Sequence, residues 1–245
     1  MSADLTGRRV LVTGATSGIG AAAATAVVEA GGSVALVARS TDRVAELAQR
    51  LGDAAIGCPG DVSDRSEVQQ CVDAGVTGMG GLDGVICSAG VVRPGGITDS
   101  EPADWRAMFD VNVIGLLQTV EASLPHLRRN DSADIINLSS MSGRRRASVA
   151  LGFYAASKFA VHVISDNLRE ELAPDGIRVS IISPGFVRTP IFDSVEDDST
   201  RQQLQTALAE KGLDPEAVAA QIVHALAQPP GVDLLEIAML STDQY

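Results

Sequence analysis

The chain has 245 residues, and at about 150 residues per domain that length suits one or two domains, with a single α/β unit of residues 1–245 as the expectation. Apolar residues make up 45% and charged residues 20%, which excludes a disordered chain and leaves ample material for a core. Against 31 Asp and Glu stand 19 Lys and Arg, for a net charge of −12, so nucleic acid and anionic lipid are not the expected partners. The cysteines Cys58, Cys71 and Cys87 are odd in number and form no CxxC pair. Neither a disulfide framework nor a zinc signature follows, and a reducing compartment is the simpler expectation. Residues 1–9 lack the apolar stretch of a signal peptide, and the most apolar helical stretch, about 21–30, is broken by Thr25 and Glu29 and too short to span a bilayer. The expectation is a soluble, cytoplasmic protein.

Short apolar runs alternate with longer helical stretches. Residues 9–13 (RVLVT) form a β-branched run that ends at glycine and predict a buried strand. Residues 18–30 are Ala-rich and stop at Gly31-Gly32, which predicts a helix. A second strand is predicted over 33–38. Thr41 is the expected N-cap of a helix that carries Val44, Leu47, Ala48 and Leu51 on one face. A third strand follows at 54–58, a helix at 64–77 and a fourth strand at 82–87. One long helix is expected over about 102–127, a fifth strand at 134–138, another long helix at about 153–172 and a sixth strand at 178–182. Two helical stretches around 200–210 and 215–227 and a last strand near 234–239 complete the chain. Apolar strands separated by helices predict a parallel sheet covered on both faces, wound in both directions by right-handed crossovers. Ligands of such a fold lie beyond the carboxyl ends of the strands.

Residues just after the strands therefore carry the functional reading. After the first strand, Gly14-Ala15-Thr16-Ser17-Gly18-Ile19-Gly20 joins strand to helix with G-x3-G-x-G spacing. Gly14 permits a tight turn, and Gly18 and Gly20 allow backbone to approach a pyrophosphate at a helix N-terminus. After the second strand, no acidic residue precedes Asp42, and Arg39 offers a guanidinium to a 2′-phosphate. That pattern favours NADP(H), with NAD(H) as the alternative. Asp61, beside Val62, is either an acceptor for an adenine amino group or a helix cap. Ser88-Ala89-Gly90 either lets a cofactor lie against the strand end or packs tightly.

The chain has two tyrosines, Tyr154 and Tyr245, and two lysines, Lys158 and Lys211. A chance Tyr-x3-Lys is therefore on the order of one in fifty. Tyr154 and Lys158 share a helix face at i and i+4. A phenol with an ordinary pKa near 10 is a poor acid–base group at neutral pH, and a nearby ammonium and a cationic nicotinamide would favour the phenolate. Ser139-Ser140 ends the fifth strand at the same sheet edge, as a hydroxyl donor to substrate or as a polar turn before Gly143. Asn112 falls mid-helix, where its side chain competes for backbone bonds and calls for some compensation.

These motifs together resemble the short-chain dehydrogenase/reductase superfamily, in its single-domain branch. The matches are TGATSGIG at 13–20, Asp61-Val62, Ser88-Ala89-Gly90, Asn112, NLSSMSG at 137–143, YAASK at 154–158 and Pro184-Gly185-Phe186-Val187-Arg188-Thr189. The resemblance implies a Rossmann-type doubly wound sheet of seven parallel strands and a hydride transfer between NADP(H) and a small hydroxy acid, aldehyde or ketone. It implies Tyr154 as general acid and base, and Lys158 as the group that holds the nicotinamide ribose and acidifies Tyr154. Ser140 polarises the carbonyl, and Asn112 positions a water that relays protons to Lys158. Cofactor contacts are implied for Gly14, Thr16, Ser17, Gly18, Ile19, Gly20, Arg39, Asp61, Val62, Ser88, Ala89, Gly90, Tyr154, Lys158, Pro184, Gly185, Val187 and Thr189. The pattern departs from the family at Ser88, where Asn is usual, and in lacking the common Asp-Gly-Gly ending. Its C-terminus, with Pro229-Pro230 and Thr242-Asp243-Gln244, is similar to the NADP-dependent subgroup that acts on serine-like 3-hydroxy acids. Packing of the helices at 102–127 and 153–172 in relatives implies a homotetramer.

Other residues remain open at this level. One of Arg144, Arg145 and Arg146 either holds a substrate carboxylate or is solvated. Val91, Val92, Leu151, Phe153, Phe186 and Phe192 form an apolar wall or simply core, in or near a variable substrate segment at about 188–212. Glu196, Asp197 and Asp198 face water or attract an amine. His126, His162 and His224 have no metal-like spacing and are expected to be structural. Two rival functions are an NAD-dependent secondary-alcohol or amino-alcohol dehydrogenase and a non-catalytic nucleotide-sensing regulator.

Overall fold

The computed structural model describes residues 3–145 and 148–244. Seven strands form one sheet, β1 (Arg9–Thr13), β2 (Ser33–Ala38), β3 (Ala55–Pro59), β4 (Gly84–Cys87), β5 (Ala133–Leu138), β6 (Ile177–Pro184) and β7 (Glu236–Met239). Their order is β3-β2-β1-β4-β5-β6-β7, and each neighbouring pair is parallel. The chain leaves β1 toward β2 and β3, then returns past β1 to β4. That reversal opens a crevice between the carboxyl ends of β1 and β4, where a doubly wound sheet takes its ligand.

Alternation along the strands builds two cores. Val10, Val12, Val34, Leu36, Ile136 and Ile182 point to one face. There they meet α1 (Gly18–Glu29), α2 (Thr41–Leu51) and α8 (Pro215–Leu226). Leu11, Ala35, Val37, Val85, Ile135 and Val179 point to the other. They are covered by α3 (Arg65–Met79), α5 (Gly115–Leu127) and α6 (Gly152–Leu172). Each aliphatic side chain so buried contributes about 1.5–3 kcal/mol. Among the described residues no helix is long and apolar enough to cross a membrane, and the three cysteines are buried and unpaired.

Several boundaries differ from the sequence expectation for local reasons. The cap of α2 is Ser40 rather than Thr41, and its side chain accepts from Arg43 N–H. β3 runs one residue later and closes on Pro59, which an edge strand tolerates. β4 starts at Gly84 because Asp83 turns its carboxylate to Arg9, accepting from its N–H at 2.8 Å and its Nε at 2.7 Å. Burial pushes the Asp83 carboxyl up, but the Arg9 bonds outweigh it and leave the group below its ordinary range. The single helix expected at 102–127 is α4 (Pro102–Phe109), a π turn (Asp110–Ile114) and α5.

The amino ends of β1, β5 and β6 are tied by charge. Asp134 is 1% exposed. It accepts from Arg178 Nε at 2.8 Å and Nη2 at 3.0 Å, and it pairs with Arg8. Removing Asp134 would leave two arginines without their buried counter-charge, at a cost of about 3–5 kcal/mol. Asp134→Ala should therefore lower the urea unfolding midpoint sharply with the slope unchanged. An unchanged midpoint would show that water compensates these arginines fully.

Candidate active site

A cavity of about 890 Å3 opens along the carboxyl edge of the sheet, and it is lined by residues from after β1, β2, β4, β5 and β6. At the β1 end, Gly14 has φ +65° and Gly18 has φ +50°, conformations that favour glycine. A Cβ on Gly14 would stand 2.9 Å from the Ala89 backbone, and one on Gly18 2.8 Å from the Thr189 side chain. A Cβ on Gly20 would stand 2.3 Å from Gly14 O, so that glycine seats the helix on the turn. The first turn of α1 holds no acidic side chain, and its Ser17 cap makes no side-chain hydrogen bond. The positive end of the helix thus faces the cavity.

Thr13 Oγ1 accepts from Ser88 N–H and Ala89 N–H, each at 3.1 Å, and this fixes the β4 end beside the glycine turn. Arg39 lines the cavity and has no hydrogen bond or ion pair among the described residues. Arg43, in the first turn of α2, lines it too and donates to Thr16 O at 2.6 Å. Sequence reading missed Arg43, since Arg39 precedes the cap of α2 and no helical spacing links the two.

At the other end stand Ser140, Tyr154 and Lys158. Tyr154 and Lys158 are one turn apart on α6, with Lys158 Nζ 5.8 Å from the Tyr154 ring centre. Lys158 is 4% exposed and donates to Leu138 O at 2.8 Å. Burial lowers its pKa to about 8, with the Cys87 thiol beside it acting the other way. Burial also pushes Tyr154 up to about 12, and the Ser140 hydroxyl pulls it back only in part. Within the protein alone, burial outweighs the Ser140 bond.

Asn112 is buried at the π turn and does not line the cavity. Its Oδ1 accepts from Val91 N–H at 2.8 Å, and its Nδ2 donates to Val91 O and Ser157 Oγ, each at 3.0 Å. These bonds and the π turn are the compensation that a mid-helix Asn requires. Gly90 lies between this clamp and the amine, since a Cβ there would stand 3.7 Å from Lys158 Nζ.

After β6, Pro184, Gly185, Phe186, Val187 and Thr189 line the cavity. Leu213 N–H donates to Phe186 O at 2.8 Å, and Arg188 N–H donates to Leu213 O at 2.9 Å. The alternation of a parallel bridge turns the Val187 N–H and C=O to the opposite side. Neither has a backbone partner among the described residues.

Fourteen expected site residues line the cavity, and Thr16, Gly20, Asp61, Val62, Ala89 and Asn112 do not. Asp61 Oδ1 accepts from Ser63 N–H and Oγ, so it closes a turn, while the cap of α3 is Asp64. Val62 is buried beneath Gly115. Val91, Val92, Leu151, Phe186 and Phe192 do form a wall, but Phe153 instead stacks on Trp105 at 4.8 Å. Arg145 lines the cavity, Arg144 pairs with Glu236 at 3.2 Å, and Arg146 lies outside the described residues. Of the acidic run, Asp197 caps α7 (Asp198–Lys211) and Asp198 pairs with Arg201. No group of side chains suited to a metal occurs among the described residues, and the three histidines stay off the cavity.

A model of the short chain dehydrogenase family matches residues 8–200. An uncharacterized oxidoreductase of Staphylococcus aureus (strain MW2) is 38% identical over 236 residues, 96% of this chain and 97% of that protein. Among solved structures, the closed form of a serine dehydrogenase complexed with NADP+ aligns with a TM-score of 0.90 and 27% identity, over 96% of both chains. A short chain dehydrogenase/reductase from Burkholderia phymatum in complex with NAD aligns with a TM-score of 0.86 and 28% identity, over 97% of this chain and 90% of that one.

The two lysines make the buried amine directly observable. In lysine-selective carbon NMR with Lys211→Arg as the assignment control, the Lys158 resonance should titrate near pH 8. Titration at the ordinary lysine value would show that the amine stays in water.

Proposed function

This chain belongs to the short-chain dehydrogenase family, and from that premise we propose that it moves a hydride between NADP(H) and a small alcohol or carbonyl, with Tyr154 as acid and base. The observation that carries the reading is the meeting of Ser140, Tyr154 and Lys158 at one end of a cavity whose other end is a glycine cradle. The residues present suit a dinucleotide. Positive-φ glycines leave space that a Cβ would fill at the helix N-terminus, and Val187 offers a free backbone donor and acceptor to a carboxamide. The bound nicotinamide would supply the hydride in reduction and, when oxidised, a positive charge beside the phenol.

Within this reading Tyr154 Oη gives its proton to the substrate oxygen in reduction and takes it back in oxidation. Ser140 Oγ donates to the same oxygen and stabilises the negative charge that grows there. Lys158 Nζ, fixed at Leu138 O, holds a ribose hydroxyl and keeps a positive charge below pH 8. Asn112 is a positioning residue, because its amide is already committed to Val91 and Ser157. A proton relay through water toward Lys158 would therefore run along the backbone of the π turn rather than through that amide.

Arg39 and Arg43 supply the preference for NADP(H) over NAD(H). Asp193 is the one carboxylate among the described residues lining the cavity, and it lies in the segment after β6 rather than beside the arginines. Val92, Phe192 and Leu208, with Leu151 and Phe186, form an apolar cluster over Tyr154. Such a wall accepts a short aliphatic substrate, and Arg145 at the cavity adds a site for a carboxylate. Exposed Leu117 on α5 and Phe159 and Val163 on α6 suit the packing of a second copy.

Tyr154→Phe should leave nucleotide binding intact and lower kcat by about 10²–10⁴-fold. Steady-state rates near wild type on a good substrate would defeat the mechanism. Arg39→Ala should weaken NADP+ binding by about 10- to 100-fold and leave NAD+ binding nearly unchanged, measured by calorimetry. Equal losses for both nucleotides would remove the 2′-phosphate role.

A further inference from the structure

Gln244 lies one residue from the end of the chain, yet its carboxamide reaches into the cavity wall. Its Oε1 accepts from Phe186 N–H at 2.9 Å, and its Nε2 donates to Phe186 O at 3.3 Å and to Lys211 O at 2.9 Å. Lys211 is the last residue of α7. One side chain therefore ties three segments together: the C-terminal turn, the strap after β6 and the end of α7. Gly185 makes the approach possible, since a Cβ there would stand 2.2 Å from Gln244 Oε1.

The position of these bonds matters more than their number. Phe186 is held through both its N–H and its C=O, and Arg188 N–H is held by Leu213 O. Val187 sits between these two fixed residues, on the opposite side of the strap from Leu213, and its own N–H and C=O have no backbone partner among the described residues. Without the carboxamide, Phe186 N–H loses its partner, and the strap keeps its bonds from Gly185 N–H to Met239 O, between Leu213 and Phe186 O and Arg188 N–H, and from the Arg188 side chain to Gly212 O and Asp214. The peptide groups on either side of Val187 would then swing more freely.

We propose that Gln244 is a positioning residue for the nicotinamide end of the cofactor site: it latches the strap so that the Val187 backbone is set for the carboxamide. This rests on the dinucleotide reading above. The latch is uncharged, so its effect does not follow pH. It acts on one end of the cavity, because the hydrogen bonds of Gln244 go to Phe186 and Lys211 and not to the glycine turn or to Arg39 and Arg43.

The test uses the full chain with Gln244→Ala and Gln244→Met, the second keeping the volume while removing all three bonds. Binding is measured by calorimetry for NADP+ and for 2′-phospho-ADP-ribose, which lacks the nicotinamide ring. Both variants should weaken NADP+ about tenfold and leave the ringless fragment unchanged, with wild-type Tm. Equal weakening of both ligands would assign Gln244 a general structural role and overturn the latch. So would NADP+ affinity unchanged from wild type. Wild-type protein that binds the fragment but no better with the ring attached overturns the latch as well. Wild-type protein that binds neither ligand overturns the dinucleotide reading itself, and the latch with it.

Discussion

The hydrogen bond from Lys158 Nζ to Leu138 O joins α6 to the end of β5, and the geometry of the cavity follows from it. Burying an amine is unfavourable unless it finds a partner, and here a strand-end carbonyl provides one. Because Lys158 is fixed, Tyr154 one turn earlier is fixed as well, at the level of the Ser139-Ser140 strand end. Ser139 Oγ completes the joint by donating to Lys158 O at 3.2 Å. Asn112 and Gly90 close it from the β4 side. Two strand ends and one helix thereby converge on a single polar point, and the parallel sheet supplies that convergence because all its carboxyl ends face the same way.

Charge is arranged against the average of the molecule. The chain carries −12, yet Arg39, Arg43, Arg145, Lys158 and Lys211 line the cavity, with Asp193 the one carboxylate opposing them among the described residues. Screening over about 8–10 Å confines the field of these basic groups to the crevice itself. The same burial that fixes Lys158 raises Tyr154. Burial thus favours the neutral phenol, and a cation placed beside it would act the other way.

Much of this was legible in the sequence where the signal is local. β1 and β2 fall on the predicted residues because a compact β-branched run bounded by glycine or polar residues admits one reading. The glycine turn, Tyr154 and Lys158 were legible because spacing along a helix determines direction. Other features escaped for physical reasons. Ser40 and Thr41 are both good caps, and only the geometry of the first turn chooses between them. The π turn at 110–114 alters hydrogen-bond register without altering composition. Phe153 reads as cavity wall beside Tyr154, but adjacent helical residues diverge by about a quarter turn, which sends it to Trp105. Gln244 has no local signal, since its partners lie 33 and 58 residues away. The rise of Tyr154 in the free protein is a burial effect, and burial of that ring is not written in its local sequence.

The central claim is that Tyr154 is a neutral, desolvated phenol that a bound cationic ring makes ionisable. Tyr245→Phe leaves Tyr154 the one phenol in the chain, so ultraviolet difference titration reads it alone. The account predicts ionisation near pH 12 for the free protein and a fall of about 2 units or more when NADP+ is bound. A titration that NADP+ leaves in place, or one already near neutral without it, would contradict the account.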